Sequence, residues 1–193
     1  MSGLQEGGAA NGSGGARRIL DIDETLRLRS YSGAADIAAA EPWYRDREVL
    51  RMSEGMEEGI YDAAAIGRMY DYLQGSGELY MIETQEGGRW RPIGDAALTA
   101  DNVPITVGDS AYRSRGVGRR VLERLIARAR ELRREVLNVG IIYDYNERSQ
   151  RLYTGLGFRA VGEAGEGGIP GKRYELRLDA EGAQTPHDRR NHH

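Results

Sequence analysis

The sequence predicts a single α/β domain with a mixed, mostly antiparallel central sheet of about six to seven strands and helices on both faces. Two observations favour this fold class. The chain has 193 residues, 39% of them hydrophobic, which suits one compact domain. Along it, segments that alternate apolar and polar residues, as strands do, lie between segments whose apolar residues recur at helical spacing. We expect this domain to span residues 18–180.

The two ends of the chain differ in composition from the rest. Residues 1–17 read MSGLQEGGAANGSGGAR, which is too poor in large apolar side chains to fold, so we expect a disordered arm. Residues 181–193 are polar and predict a flexible tail. The arm lacks the apolar region of a secretory signal, and no run approaches the ~20 apolar residues of a membrane span. We therefore expect a cytoplasmic protein that does not bind membranes.

In the first half of the domain, the sequence predicts one strand, then helices, then a meander of strands. Residues 25–31 alternate like a strand with one buried face, and Gly33 opens an Ala-rich helix. Residues 43–55 are irregular and could hold a short helix, and Asp62 starts a longer one. Short turns then join three strands, which implies antiparallel pairing. These strands span residues 79–82, 91–98 and 103–107.

The second half contains the clearest helix of the chain. It follows Gly118, and its apolar residues recur every three or four positions, with arginines opposite. A strand over residues 136–142 comes next, and Asn146 caps a shorter helix that runs through Tyr153. The closing strands are predicted at residues 158–161 and 173–178.

Composition excludes several kinds of chemistry. The absence of cysteine removes disulfides, thiolate-bound zinc and a cysteine nucleophile. The three histidines, His187, His192 and His193, all lie in the predicted tail, so we expect neither a histidine base nor a metal site in the domain. With 27 basic and 30 acidic residues the net charge is −3, which gives no general attraction to nucleic acid.

The most informative stretch joins the strand ending at Val107 to the clearest helix. Gly116 and Gly118 let a ligand approach the backbone closely, and the free N–H groups of the first helical turn attract anions. Four arginines lie at the same end of the helix, where they repel one another unless an anion binds: Arg113, Arg115, Arg119 and Arg120. The stretch matches neither a dinucleotide-binding motif nor a P-loop, so it indicates a different phosphate ligand.

This stretch resembles a motif of the GNAT superfamily of acetyl-coenzyme A-dependent N-acyltransferases. Residues 113–118 (RSRGVG) match the family's Arg/Gln-x-x-Gly-x-Gly/Ala loop between its fourth strand and third helix. Residues 146–158 (NERSQRLYTGLGF) resemble its Asn-x-x-Ala-x-x-Leu-Tyr-x-x-x-Gly-Phe block, with Ser149 in place of alanine. The two motifs occur in the family's order and spacing, and the resemblance extends over residues 24–178.

The resemblance implies acetyl-CoA as a cosubstrate, no metal, and a sheet that splays between its fourth and fifth strands. In the family, the loop amides hold the pyrophosphate and the pantetheine arm lies along the fourth strand. The CoA-binding residues implied here are Thr106, Val107, Gly108, Arg113, Ser114, Arg115, Gly116, Val117, Gly118, Arg119, Asn146 and Ser149. Tyr153 occupies the position of a tyrosine that often protonates the departing thiolate, which makes it the expected general acid. The alternative for Tyr153 is a core aromatic of the last helix, and some relatives use this tyrosine only for positioning.

The general base is less determined. Without a histidine in the domain it must be a carboxylate, a tyrosine, a carbonyl or a water chain. Asp109 and Asp95 are the first candidates, and Glu83 and Asp144 also stand at strand ends. The lack of cysteine excludes an acyl-cysteine route and leaves direct attack in a ternary complex.

The expected acceptor is a primary amine of a small molecule or peptide. The predicted acceptor-binding residues are Trp43, Tyr44, Asp46 and Glu83, because aromatic rings and carboxylates suit a cationic amine. For Trp43 the alternative is a packing role that anchors a helix to the sheet. Dimerisation is common in the family, although nothing in this sequence shows it.

Two other functions stay open at this point. The Arg-rich helix is the one feature that suggests a nucleic-acid or protein-binding module. The negative net charge opposes it, as do Glu123, Glu131 and Glu135, which are spaced for ion pairs with the arginines. The second alternative is a GNAT-like protein that binds CoA without catalysis, which the presence of both the loop and Tyr153 disfavours.

Overall fold

The computed structural model describes residues 17–55, 59 and 61–178. Nearly all of the predicted arm, and the whole predicted tail, lie outside the described residues, so the domain boundaries stay predictions. The strands of the described part are β1 Ile19–Asp21, β2 Leu26–Ser30, β3 Gly77–Glu86, β4 Arg89–Thr99, β5 Ile105–Val107, β6 Val136–Tyr143, β7 Arg159–Glu166 and β8 Ile169–Arg177. Its α-helices are α1 Ala34–Ala40, α2 Arg47–Val49, α3 Ala63–Ser76, α4 Val117–Glu131 and α5 Glu147–Thr154. There are also 3₁₀ turns at Trp43–Arg45 and Ser110–Tyr112, and a π turn at Leu50–Glu54.

The longer helices begin at the capping residues that the sequence indicates. The Ala65 N–H donates to Asp62 Oδ1 at 2.8 Å at the start of α3, and the Ser149 N–H donates to Asn146 Oδ1 at 3.1 Å at the start of α5. In α4 the apolar stripe is buried, as its spacing predicts. The predicted α3, α4 and α5 are therefore confirmed.

The strands form two antiparallel sheets. Five strands pair in the order β1-β2-β3-β4-β5, and three pair in the order β6-β8-β7. The α/β class is confirmed. No ladder joins β5 to β6 in the described chain, so the break falls between the predicted fourth and fifth strands, where the splay was expected.

Two differences from the predicted strands have local reasons. The short β1 was not predicted, because only Leu20 of its three residues is buried. The hairpin of β7 and β8 extends well beyond the predicted strands and turns at Gly167 and Gly168, both with positive φ. Most side chains of β7 are exposed, so its sequence lacks the apolar alternation that reveals a half-buried strand.

Helices cover both faces of the five-stranded sheet, as predicted. On one face α4 packs against side chains such as Tyr80 and Leu98, and on the other α1 and α3 pack against Leu79, Met81 and Ala97. Because successive side chains along β3 and β4 lie on opposite faces of the sheet, they contribute to two separate hydrophobic cores.

A buried ion cluster fixes α1 to the sheet. Arg29 on β2 donates to Asp36 Oδ1 at 2.6 Å through Nη2 and to Glu83 Oε1 at 2.6 Å through Nε. Arg27 also donates to Glu83, at 2.8 Å. These carboxylates therefore neutralise guanidinium groups inside the protein.

Candidate active site

A cleft of about 370 Å³ opens where β5 and β6 separate. Its walls come from Ile105, Thr106 and Val107 on one side and from Val139 and Ile142 on the other. The cleft exists because these two strands diverge instead of pairing. In the part of the chain that the structure describes, no strand pairs with β5 on this side, so an extended ligand could bond to its backbone groups.

The loop before α4 presents backbone donors next to this cleft. Gly116 is the N-cap of α4 with φ 77°, a left-handed conformation that favours glycine. No side chain caps this helix, and within the described residues no acceptor bonds the N–H groups of Val117, Gly118 or Arg119. A β-carbon at residue 118 would lie 3.3 Å from Leu152 Cδ2, so this turn packs against α5. A helix N-terminus with these features is suited to bind an anion.

The four arginines at this terminus are less free than the sequence suggests. Arg113 bonds to Asp46 Oδ2 at 2.7 Å and to the carbonyls of Val107 and Gly108 at 3.0 and 2.6 Å. Arg119 pairs with Glu123 at 3.0 Å, and Arg120 pairs with Asp23. Arg115 is exposed and forms no ion pair with any described acid. Arg113 thus fastens the loop to β5 and to the segment before α2.

Tyr153 of α5 lines the cleft. It is buried, and its hydroxyl donates to the Val103 carbonyl at 2.6 Å. Its ring packs edge-on against Phe158, with centroids 5.2 Å apart. Burial raises the pKa of Tyr153 above its ordinary value, so the phenol is protonated at neutral pH and can act as a proton donor.

Asp95 of β4 lies on the cleft wall beside Thr106, its partner on β5. The carboxylate is buried, and Oδ2 accepts hydrogen bonds from the hydroxyls of Tyr44 at 2.9 Å and Tyr70 at 2.8 Å. Burial raises the pKa of Asp95 to about 7, although the two phenols act in the opposite direction. A carboxylate that titrates near neutral pH in a cleft is suited to general base catalysis.

These elements occur in the order that the acetyltransferase resemblance implies. The sequence model of the acetyltransferase (GNAT) family matches residues 42–158, which is more than half of the chain. The chain belongs to the GNAT acetyltransferase family. A search of curated protein sequences gives no significant match.

Solved GNAT structures share the fold of this chain. RimL, a ribosomal L7/L12 α-N-protein acetyltransferase in complex with CoA, is 15% identical with a TM-score of 0.69, covering 85% of this chain and 100% of that one. A Salmonella typhimurium acetyltransferase that modifies the N-terminal serine of L7/L12 is 14% identical with a TM-score of 0.67, covering 84% and 100%. AAC(6')-Ib in complex with paromomycin and acetyl-CoA is 16% identical with a TM-score of 0.64, covering 80% and 94%. At these identities the likeness shows the fold.

Most of the remaining residues that the GNAT resemblance assigns to CoA binding line the cleft, whereas Gly108 does not. Thr106 and Val107 line the cleft, with Asn146 and Ser149 of α5. Asn146 also has a structural role, because Nδ2 donates to the Met52 carbonyl at 3.1 Å and links α5 to the π turn. Gly108 lies outside the cleft, where a β-carbon would approach Trp43 Cγ to 2.1 Å.

The predicted acceptor-binding residues do not form one site in this GNAT chain. Tyr44 lines the cleft, whereas Trp43 and Asp46 line a second depression of about 490 Å³ on the other side of Gly108. Trp43 is buried against Gly108, which favours the packing role. Glu83 is not among the described residues that line the cleft, because Arg27 and Arg29 hold it in the buried ion cluster.

The other base candidates lie away from the cleft. Asp109 caps the turn at Ser110–Tyr112 and pairs with Arg91 at 2.9 Å, and it lines the second depression. Asp144 is exposed at the end of β6 and does not line the cleft. Among the four carboxylates that the sequence offered, only Asp95 lines the cleft.

Three residues of the cleft region are not predicted as site residues from the sequence. Glu54 of the π turn and Glu166 of β7 both line the cleft and pair with no described arginine or lysine. Burial and the nearby Glu166 raise the pKa of Glu54. Tyr70 donates to Asp95 but reads in the sequence as one of the apolar-stripe residues of α3. The glutamates stand in segments with no motif, so no sequence signal identified them.

The described residues contain no group of three or more His, Cys, Asp or Glu side chains placed to hold a metal ion. In the same residues, no helix is both long enough and apolar enough to cross a membrane.

Proposed function

We propose that this protein is an N-acetyltransferase that moves an acetyl group from acetyl-CoA to a primary amine of a small molecule or peptide. One observation carries the proposal: the cleft between β5 and β6 has a protonated phenol, Tyr153, and a buried carboxylate, Asp95, on its walls. Arg113, in the loop that leads to the helix terminus with free backbone donors, lines the same cleft. A binding module without catalysis would need neither the phenol nor the carboxylate.

The cosubstrate would be held mainly by backbone groups. The N–H groups of Val117, Gly118 and Arg119 point out of α4 and suit the pyrophosphate, and the open edge of β5 suits the pantetheine arm. The Arg113 side chain already bonds to Asp46, so its part is to shape the loop. Bound acetyl-CoA supplies the acetyl thioester.

The side chains of the cleft then handle the protons. Asp95 accepts a proton from the acceptor ammonium or from the attacking nitrogen. The Tyr153 hydroxyl turns from the Val103 carbonyl, to which it donates in the free protein, and gives its proton to the sulfur as the carbon–nitrogen bond forms and the carbon–sulfur bond breaks. The phenolate of Tyr153 regains its proton from solvent or from Asp95. Because the chain has no cysteine, the acetyl group passes directly to the amine in a ternary complex.

The charge of the cleft supports a cationic acceptor. Glu54 and Glu166 add negative charge where Tyr72 and Tyr143 provide aromatic surface. Two of the solved relatives are described with amine-bearing partners, a ribosomal protein N-terminus and paromomycin, and an amine of either kind suits this cleft. The cytoplasmic location and the independence from metal stay predictions from the sequence.

Titration of CoA by calorimetry tests the binding half of the proposal. We expect the wild-type protein to bind CoA and Gly118→Glu to lose binding, because a carboxylate would occupy the anion site. An acid at a helix N-terminus is otherwise favourable, so this variant should still fold. Gly75→Glu is the matched control, since no atom lies within 4 Å of a β-carbon at that position on α3. Equal binding by Gly118→Glu and wild type would refute the loop assignment.

Thiol release from acetyl-CoA tests the catalytic half. Release should rise when a true amine acceptor is added from a panel of polyamines, aminoglycosides, amino acids and peptides. If the protein binds acetyl-CoA but releases no thiol with any of these amines, the result favours the alternative of a GNAT-like protein that binds CoA without catalysis.

A further inference from the structure

The two oxygens of the Asp95 carboxylate have different surroundings. The Tyr44 and Tyr70 hydroxyls both donate to Oδ2, at 2.9 and 2.8 Å. Oδ1 accepts no hydrogen bond at ordinary hydrogen-bond distance from the described residues, Thr106 of the paired strand affects the carboxylate less than the two phenols do, and Asp95 lines the cleft. One oxygen is therefore held by two phenols, while the other is available to a ligand.

We propose that Tyr44 and Tyr70 are positioning residues that hold Asp95 by Oδ2 and leave Oδ1 to accept the proton of the amine. This inference rests on the proposed function, in which Asp95 is the general base. It assigns the two tyrosines no proton transfer of their own. Tyr44, which the sequence places among acceptor-binding residues, would act through Asp95.

The tyrosines reach Asp95 from different elements and are themselves fixed. Tyr44 belongs to the 3₁₀ turn after α1, and Tyr70 belongs to α3. Both are at most 1% exposed. The Tyr70 ring packs edge-on against Tyr31 at 5.1 Å, and the Tyr44 ring lies 5.7 Å from that of Tyr61. The carboxylate is thus oriented by groups that cannot easily rotate, which is what a positioned base needs.

The electrostatics agree with this division of roles. Burial raises the pKa of both Tyr44 and Tyr70, so they remain protonated donors across the working pH range. At Asp95 burial, with a smaller contribution from the charge of Glu54, raises the pKa, whereas the hydrogen bonds of the two tyrosines, with a smaller contribution from Thr106, lower it. Removing one phenol hydroxyl should therefore raise the pKa of Asp95, and the base would then be protonated at neutral pH.

The pH dependence of kcat/KM in Tyr70→Phe and Tyr44→Phe tests the inference. For wild type we expect an acidic limb near pH 7. In each variant this limb should move up by about one pH unit, which corresponds to the loss of one hydrogen bond to a charged group. Activity should fall about tenfold below pH 7 and recover at pH 9, with an unchanged KM for acetyl-CoA. Two variants are used so that poor folding of one leaves the other informative.

Tyr80→Phe is the matched control. Tyr80 is also fully buried and donates to a carboxylate, Glu78, but lies in the core under α4 and does not line the cleft. Its profile should coincide with that of wild type. If Tyr70→Phe and Tyr44→Phe lose the same fraction of activity at every pH, or lose none, their role is structural and the inference is overturned.

A titration without substrate separates this inference from the proposed function. Carbon-13 NMR of labelled aspartate carboxyls should show one group titrating near pH 7 that disappears in Asp95→Asn and moves to higher pH in Tyr70→Phe. If no amine is acetylated but the resonance moves, the proposed function fails and the positioning of Asp95 stands. If amines are acetylated and neither the resonance nor the pH profile moves, the inference fails and the function stands.

Discussion

Replacing Asp95 with asparagine should make the protein more stable and less active, and the gain in stability should grow with pH. Asparagine is close in shape to aspartate. Because Tyr44 and Tyr70 both donate to Oδ2, one amide oxygen in that position can accept both hydrogen bonds, while the amide nitrogen faces the cleft. The substitution therefore removes a buried charge with little change in packing.

The size of the effect follows from the pKa. Burial raises the pKa of Asp95 from 3.8 to about 7 in the folded protein. Between these values the folded state binds a proton that the unfolded state has released, so stability falls as pH rises through this window. At about 1.36 kcal/mol per pH unit, ionised Asp95 costs about 4 kcal/mol above pH 7. Between pH 5 and pH 8 the gap between Asp95→Asn and wild type should widen by about 2–3 kcal/mol.

Urea unfolding of both proteins at pH 5 and pH 8 measures this gap directly. Other titrating groups are common to both proteins and cancel in the comparison. In thermal unfolding, the same change should appear as about 5–10 °C in Tm. The variant should also lose acetyl transfer by about 10² to 10⁴ at pH 8, as expected when a general base is removed. A stability gap that is the same at both pH values would refute the raised pKa, and full activity would remove Asp95 from the mechanism.

Three further substitutions probe other parts of the protein. Tyr153→Phe should lower kcat by about 10² to 10⁴ with little change in KM for acetyl-CoA, and a kcat within threefold of wild type would exclude the phenol as the acid. Glu54→Gln should raise KM for a cationic amine by about tenfold and leave CoA binding by calorimetry unchanged, whereas an unaltered KM would mean that Glu54 does not face the acceptor. Glu83→Gln should cost about 3 kcal/mol in urea unfolding, because it leaves Arg27 and part of Arg29 without a buried partner. A loss of acceptor affinity in Glu83→Gln at unchanged stability would instead support its predicted role in binding.

Much of the fold could be predicted because its signals are local. The apolar stripe of α4 and the caps Asp62 and Asn146 depend on residues within a few positions of each other, and the structure confirms all three helices. The strands β1 and β7 give weak local signals because few of their side chains are buried. Their pairing depends on neighbours that are distant in the sequence.

In the candidate site, too, some residues can be predicted from the sequence and others cannot. Gly116, Gly118 and Tyr153 belong to contiguous motifs, so the amino-acid sequence is enough to identify them. It does not identify which carboxylate lines the cleft, because Asp95, Asp109 and Glu83 all stand on or beside strands. Only their partners distinguish them. Arg91 holds Asp109, two arginines hold Glu83, and two phenols hold Asp95 in the cleft.

The sequence by itself determined the family, the glycine-rich loop proposed to bind phosphate, the tyrosine proposed as the acid and the absence of a cysteine nucleophile, because each depends on residue identity and short spacing. The tertiary structure alone decided that β5 and β6 separate into a cleft and that Asp95, Glu54 and Glu166 meet there. It also decided that Arg113 binds Asp46 rather than standing free. Burial and through-space contact set these outcomes, since the pKa and availability of a charged group depend on neighbours that the chain brings together only when it folds.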